Sequence, residues 1–246
     1  MPSSVTVGHP SEANNAIGGI PAIHYLDFLS RGRGQVVRLL WEDAGIAYHD
    51  IRYSNEELQD PKEAVITNKN PVITVPVVEL NGKILTQSYA ILRHMARLLG
   101  KYDGETEEEK YWTDVICDIG IDCKLLTYPK SLSDESPTGR TLFVQAVFQP
   151  TGPDHYENHK KTDRARFLAA LETHLTSNEL SKQGPFVLGN RITYADLVIY
   201  QDCHDENLTQ DGRQGLKEYP RLMQLVEGLE QRPNVKAFLA SDRYRG

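Results

Sequence analysis

The rhythm of apolar positions changes near residue 100 and divides the chain in two. Before that point short apolar runs alternate with segments in which every third or fourth position is apolar. Residues 23–28 (IHYLDF) form a run bounded by Gly-Ile-Pro and Ser-Arg-Gly, which predicts a buried strand. Gly32 and Gly34 then open a helix whose apolar face is Val36, Val37, Leu39, Leu40 and Trp41, stopped by Gly45. Residues 48–53 read as a second strand and 55–66 as a weak polar helix. Residues 72–79 (VITVPVVE) are rich in β-branched side chains, Asn81-Gly82 is a hairpin turn signal, and 83–86 supply the return strand. Residues 87–99 carry Ile91, Met95, Leu98 and Leu99 at helical spacing and end at Gly100. The predicted order is β-α-β-α-β-β-α.

Beyond Gly104 strand patterns disappear. The acidic stretch GETEEE starts a helix read over residues 111–126, a second helix over 162–175 presents Phe167, Leu168, Leu171 and Leu175, and others follow Tyr219-Pro220 and Val235. Thr193 and Asp196 in ITYAD (192–196) form a capping box at another helix start, with Ile192 as a staple. Residues 129–158 read as a packed connector, because their LFVQAVF centre is too apolar for a plain linker. Residues 1–20, rich in Ser, Asn and Gly, read as a flexible arm that cannot offset its own ordering entropy. The expected domains are therefore the arm (1–20), a mixed domain (21–100) and an all-helical domain (105–246).

Length and charge sharpen this outline. At 246 residues the chain suits one or two domains, and 27 basic against 34 acidic residues give a net charge of −7, which argues against nucleic acid or an anionic membrane as partner. No window is apolar for long enough to span a bilayer. Cys117, Cys123 and Cys203 show no disulfide or zinc spacing, which suits a reducing, cytoplasmic setting. His155 and His159 stand four apart, but without further ligands they read as a solvated helix face, and no metal is expected.

Two features suggest chemistry. Pro76 interrupts a strand where a residue should donate a hydrogen bond, and a cis Val75-Pro76 peptide accounts for it; the Val75 backbone then faces outward and can pair with an extended peptide. An ordinary trans edge proline is the alternative. Gln87 and Ser88 stand at a helix start, where unpaired amides and the helix dipole attract a carboxylate.

With these features in order, the chain resembles the cytosolic glutathione transferases over residues 21–242. The resemblance rests on HYLD (24–27) with RGRGQVVRLL (31–40), similar to the tyrosine-containing start of the alpha, mu and sigma classes, on VPVVELNGKILTQSYAILRHMA (75–96), and on ITYAD (192–196). It implies an α+β thioredoxin-like N-terminal domain followed by an all-α C-terminal domain, glutathione as co-substrate or regenerated cofactor, and a homodimer. By the resemblance Tyr25 donates to the glutathione sulfur and Arg33 adds positive field there. Val75 and Pro76 hold the cysteinyl backbone, Gln87 and Ser88 the γ-glutamyl carboxylate, and Asp122 reaches the γ-glutamyl amine of the partner subunit's site. Lys69 is assigned to the glycine carboxylate. Leu26, Ile121 and Tyr128 line a pocket for a small hydrophobic electrophile.

The sequence departs from the family in one place. Phe28-Leu29-Ser30 lengthens the loop after the tyrosine, which makes Ser30 a rival for the sulfur, since other classes use a serine there. His24 faces away from Tyr25 on the strand and reads as a strand histidine rather than a base. Three activities stay open on this reading: thiolate addition to an electrophile, glutathione-dependent cis-trans isomerisation of a conjugated unsaturated compound, and a non-catalytic glutathione-binding or regulatory role.

Overall fold

The computed structural model describes residues 2–54, 57, 75–125, 157 and 159–245. These form two compact units, residues 1–103 with 229–246, and residues 104–228.

The first unit is built on a five-stranded sheet in the order β1-β3-β2-β4-β5. Strand β2 (Ala22–Leu26) lies at its centre, parallel to β3 (Tyr48–Tyr53) and antiparallel to β4 (Val77–Leu80), which pairs through the Asn81-Gly82 turn with β5 (Lys83–Thr86). Helix α2 (Gly32–Ala44) buries Val36, Val37, Leu39, Leu40 and Trp41 completely, as its spacing predicts. Gly45 ends it in the left-handed region, returning its N–H to the carbonyls of Trp41 and Glu42. Helix α3 (Ser88–Leu99) packs against α2 and buries Ile91, Leu92, Met95 and Ala96. The expected helix over 55–66, apart from residue 57, and the first part of the strand expected over 72–79 lie outside the described residues.

The first twenty residues are not a flexible arm. Residues Ser3–Val7 form β1, antiparallel to β3 with Ser3 opposite Arg52 and Val7 opposite Tyr48. Residues Glu12–Ile17 form helix α1, started by a capping box between Ser11 and Asn14. Main-chain pairing with an existing edge supplies what the poor apolar content of this segment could not. Asn14 adds to it by donating to the Ala47 and Gly19 carbonyls (2.8 and 3.0 Å) and accepting from the Ala47 N–H at 2.8 Å.

The second unit holds α4 (Glu107–Leu125), a π-helical turn at Lys160–Arg164 that runs into α5 (Ala165–Ser177), and α6 (Tyr194–Asp205). The face predicted for α5, Phe167, Leu168, Leu171 and Leu175, is the one it buries. Every residue of α6 is buried, so α6 is an inner helix surrounded on all sides. His159 departs from expectation: it is buried, with Nε2 2.5 Å from Glu206 Oε1, because a buried carboxylate takes up the imidazole. His155 lies outside the described residues.

Helix α7 (Pro220–Glu230) carries the chain back, and α8 (Pro233–Leu239) packs on α2 in the first unit rather than completing an all-helical domain to residue 246. The reason is a buried carboxylate on α2. Arg232 binds Asp43 through Nε and Nη2 at 2.7 and 2.8 Å, and the Tyr102 hydroxyl donates to the same carboxylate at 2.7 Å. Asn234 donates to the Asp43 carbonyl at 3.0 Å. Burial, followed by the neighbouring Asp43 charge, drives the Tyr102 hydroxyl far above its ordinary pKa.

Candidate active site

Tyr25 leaves β2 toward the start of α2. Its hydroxyl accepts a hydrogen bond from the Arg33 backbone N–H at 3.1 Å, an amide of the first helical turn. This turn has no side-chain cap: Arg31 stands at the N-cap and contributes no capping hydrogen bond. The tyrosine oxygen therefore takes over work that a capping side chain does elsewhere, and it sits at the positive end of the helix dipole. A phenol that accepts an amide proton becomes a stronger donor through its own O–H.

The two glycines of RGRG are accounted for by this tyrosine. Gly32 has φ 75°, and a Cβ there would lie 2.7 Å from the Tyr25 oxygen; a Cβ on Gly34 would lie 2.4 Å from ring carbons. The helix start can approach the ring only because both side chains are missing. One turn further along α2 the fully buried Arg38 holds its guanidinium 5.7 Å from the Tyr25 ring centroid and binds Asp50 through Nε and Nη2 at 3.0 and 2.7 Å. A cation over the ring favours electron density drawn from the phenol oxygen.

The loop after Tyr25 is tightly held. Leu29 has φ 51° and is half exposed, and its carbonyl accepts from Arg52 Nη1 at 3.3 Å. Ser30 is fully buried, and its hydroxyl accepts the backbone N–H of Arg245 at 2.7 Å. Ser30 is thus engaged with a distant segment, whereas Tyr25 is engaged with the helix start. Arg33 is half-buried on the first turn.

The remaining sequence-predicted residues fall as follows. The Val75-Pro76 peptide is cis, with Val75 half-buried and Pro76 buried just before β4. Gln87, exposed with φ 66°, is the N-cap of α3 and makes no capping hydrogen bond; Ser88 follows it, buried. Like α2, helix α3 begins without an N-cap side chain on its first amides. Leu26 is half-buried at the end of β2 in the first unit; Ile121 is half-buried and Asp122 exposed on α4 of the second. Lys69 and Tyr128 lie outside the described residues. His24 points away from Tyr25, with Nδ1 2.6 Å from the Tyr53 hydroxyl and Nε2 3.2 Å from Glu79. Burial and the Glu79 and Glu57 charges push Tyr53 up to about 12.

The ion network around the tyrosine escaped the sequence reading. Arg38, Asp50, Arg52 and Asp27 form a continuous chain, with Arg52 Nε 2.9 Å from Asp50 and Arg52 Nη1 3.6 Å from Asp27. The available signal was Arg38 itself, a charge inside the apolar run VVRLLW, which demands a buried partner.

In the second unit the capping box is present. Asp196 accepts from the Thr193 N–H and hydroxyl at 2.7 and 2.8 Å and from the Val187 N–H at 2.8 Å. Burial raises this carboxyl to about 7, against the opposing pull of those donors.

The chain and its fold have counterparts among known proteins. Residues 21–97 match the family profile described as glutathione S-transferase, N-terminal domain, and residues 140–242 the corresponding C-terminal domain. A probable glutathione S-transferase 6 of Caenorhabditis elegans is 31% identical over 188 residues, covering 74% of this chain and 80% of that protein. Glutathione S-transferase P 10 of the same organism is 27% identical, covering 89% of this chain and 90% of its own length. The crystal structure of the glutathione S-transferase from Ascaris lumbricoides is 25% identical with a TM-score of 0.69, covering 92% of this chain and 100% of that one. The chain belongs to the glutathione S-transferase family.

Proposed function

We propose that the protein is a glutathione transferase of the tyrosine type, in which the Tyr25 hydroxyl keeps the sulfur of glutathione anionic. A free thiol ionises near a pKa of about 8.5, so a donor that favours the thiolate enlarges the nucleophilic fraction at neutral pH. One observation carries the reading: the Tyr25 oxygen is seated on the uncapped start of α2, 3.1 Å from the Arg33 N–H. Amide, helix dipole and the Arg38 cation over the ring all bias the phenol toward donation. Ser30 is enclosed completely and belongs to the contact with Arg245, whereas the Tyr25 hydroxyl is seated on the helix start, which favours Tyr25 over its rival.

Glutathione lies along the Val75 backbone. Its γ-glutamyl carboxylate meets the first amides of α3 at Gln87 and Ser88, an arrangement favoured by the missing cap there. Arg33 adds positive field, Lys69 takes the glycine carboxylate, and the exposed Asp122 serves the γ-glutamyl amine of the partner subunit in a homodimer. The second substrate is a small hydrophobic electrophile, which Leu26 at the end of β2 meets from the first unit. The thiolate forms a carbon–sulfur bond to an electrophilic carbon, which either expels a leaving group or, in a conjugated acceptor, takes up a proton at the neighbouring position. The cysteine pattern suits a cytoplasmic setting, with Cys117 and Cys203 buried as thiols. Among the described residues no helix is long and apolar enough to cross a membrane.

The test is spectroscopic titration of the thiolate of bound glutathione, paired with turnover of a chromogenic aryl halide. Tyr25→Phe should return the bound thiol toward its free pKa while Ser30→Ala does not; the reverse pattern transfers the role to Ser30. An unshifted thiol in the wild type points to binding without catalysis. Recovery of unchanged glutathione beside a rearranged enone points to isomerisation.

A further inference from the structure

The segment Arg243–Arg245 is fixed to the first unit at three successive residues. Arg243 pairs with Glu42 on α2, with its Nη2 3.1 Å from Oε2. The Tyr244 ring packs edge-on against the buried Phe238, with centroids 5.5 Å apart. Arg245 then closes on the loop that follows Tyr25. Its N–H donates to Ser30 Oγ at 2.7 Å, its carbonyl accepts from the Ser30 N–H at 3.0 Å, and its guanidinium pairs with Asp27, Nη1 lying 3.4 Å from Oδ2. The loop is thereby gripped from outside by backbone and side chain together.

The same loop is gripped from inside. Arg52 reaches both the Leu29 carbonyl and Asp27, and through Asp50 it joins Arg38, whose guanidinium faces the Tyr25 ring. Asp27 shows the balance of these forces: burial raises its pKa, but the hydrogen bond and charge of Arg245 and the charge of Arg52 outweigh it, and the carboxyl is held below its ordinary value. Between the two grips lie Leu29, in the left-handed region, and Gly32, where the chain turns to bring the Arg33 N–H to the Tyr25 oxygen. Without an outer hold, a lengthened loop with a left-handed leucine has no local reason to keep that register.

We infer that Arg245 is a positioning residue for the transferase reaction: by clasping Ser30 and Asp27 it fixes the register of the loop and so keeps the Tyr25 hydroxyl on the helix start where it meets the sulfur. This role rests on the one proposed for Tyr25. A residue that touches neither substrate nor reacting atoms thereby acquires a catalytic consequence. The Arg245–Asp27 pair is partly exposed, with side chains 41% and 39% accessible, so its removal costs the fold little and a kinetic effect can be read by itself.

The experiment compares five variants with the wild type: Tyr25→Phe, Arg245→Ala, Arg245→Lys, a chain with residues 243–246 deleted, and Arg245→Ala combined with Tyr25→Phe. The pKa of bound glutathione and the pH profile of kcat/KM are measured for each, with thermal midpoints as control. The deletion, which removes the backbone bonds as well, should raise the bound-thiol pKa by about one unit, a tenfold loss of thiolate below that pKa. Arg245→Ala should produce a smaller rise in the same direction, and Arg245→Lys should restore part of it. In the Tyr25→Phe background Arg245→Ala should add nothing.

A bound-thiol pKa and pH profile unchanged both in Arg245→Ala and in the deleted chain, which loses the backbone bonds to Ser30 as well, while Tyr25→Phe alone shifts both, overturns the clasp and leaves the Tyr25 reading standing. A shift of equal size with and without Tyr25 also overturns it. If Tyr25→Phe alone leaves the thiol unshifted, the Tyr25 reading fails and the clasp falls with it. Should the deleted chain not fold, the single substitutions at the exposed side chain decide.

Discussion

Helices α2 and α6 begin in opposite ways. Helix α6 is started by its own neighbours: Thr193 and Asp196 close a capping box, and Asp196 also takes the Val187 N–H. Helix α2 has no capping side chain, and an amide of its first turn is met by a hydroxyl eight residues back in the chain, on a central strand. The other two described starts of the first unit's leading segment repeat the contrast, α1 with a Ser11–Asn14 capping box and α3 with an uncapped Gln87. Self-satisfied starts secure the fold. Of these four starts, the two without a capping side chain are those that the proposed function sets against the glutathione sulfur, through Tyr25, and against the γ-glutamyl carboxylate.

The comparison is broken most severely at Asp196. Asp196→Ala leaves two buried amides and the Thr193 hydroxyl without their acceptor, for an expected loss of about 3 to 5 kcal/mol of stability in urea unfolding. The bound-thiol pKa of the protein that remains folded should not move; a shift there would show that a structural start also tunes the site. The same residue gives a pH signature. Its folded pKa of about 7 stands above the unfolded value of 3.8, so the contribution of its protonated form is complete below the unfolded value and is lost as pH rises through about 7. Unfolding midpoints of the wild type should therefore fall as pH rises from about 4 to about 7 and level off above, relative to Asp196→Asn, which does not titrate.

Next in size is Tyr25→Phe. The hydroxyl is a donor aimed at developing charge, and its loss should lower kcat by about 10²-fold, equivalent to roughly 2.7 kcal/mol of barrier. Stability should change by no more than about 1 kcal/mol, the net worth of the hydrogen bond to the Arg33 N–H. Ser11→Ala reverses that pattern: the cap of α1 is lost at a cost of about 1 kcal/mol in unfolding free energy, with turnover intact. The smallest effect belongs to Asp27. Its depressed pKa stabilises the folded state above the ordinary carboxylate range, and the gain is lost as pH falls through the lowered folded value. Because the side chain is 39% exposed, Asp27→Asn should change acid unfolding by only a few tenths of a kcal/mol.

The elements that carry period and punctuation together were legible from the sequence. Strand β3 and strand β5 fall on the predicted residues, α2 ends at its glycine, and α5 buries the face its spacing names. The cis peptide before Pro76 was legible too, since a proline inside a strand pattern lacks the N–H its position calls for and so marks a special backbone geometry. Strand β1 was not, because its four leading residues are exposed and its pairing depends on the free edge of β3, a property of a distant segment. The allegiance of residues 229–246 was hidden for a similar reason: it depends on Asp43, buried among partners that include Arg232, 189 positions away. Of the candidate site, the residue types were visible and their supports were not. RGRG could be read as a helix start, but only the ring of Tyr25 against it shows why both glycines are needed.

Strand β1 also bears on how the molecule behaves in company. Without it β3 would present a bare row of amides and carbonyls, the template on which a neighbouring chain can extend a sheet. With it, the outermost strand is five residues long and bears Ser3, Ser4 and Thr6, a short hydroxyl-rich border that invites water rather than another strand. Strand β1 thus moves the open border of the sheet from the six residues of β3 to a shorter strand of three hydroxyl side chains and an exposed valine.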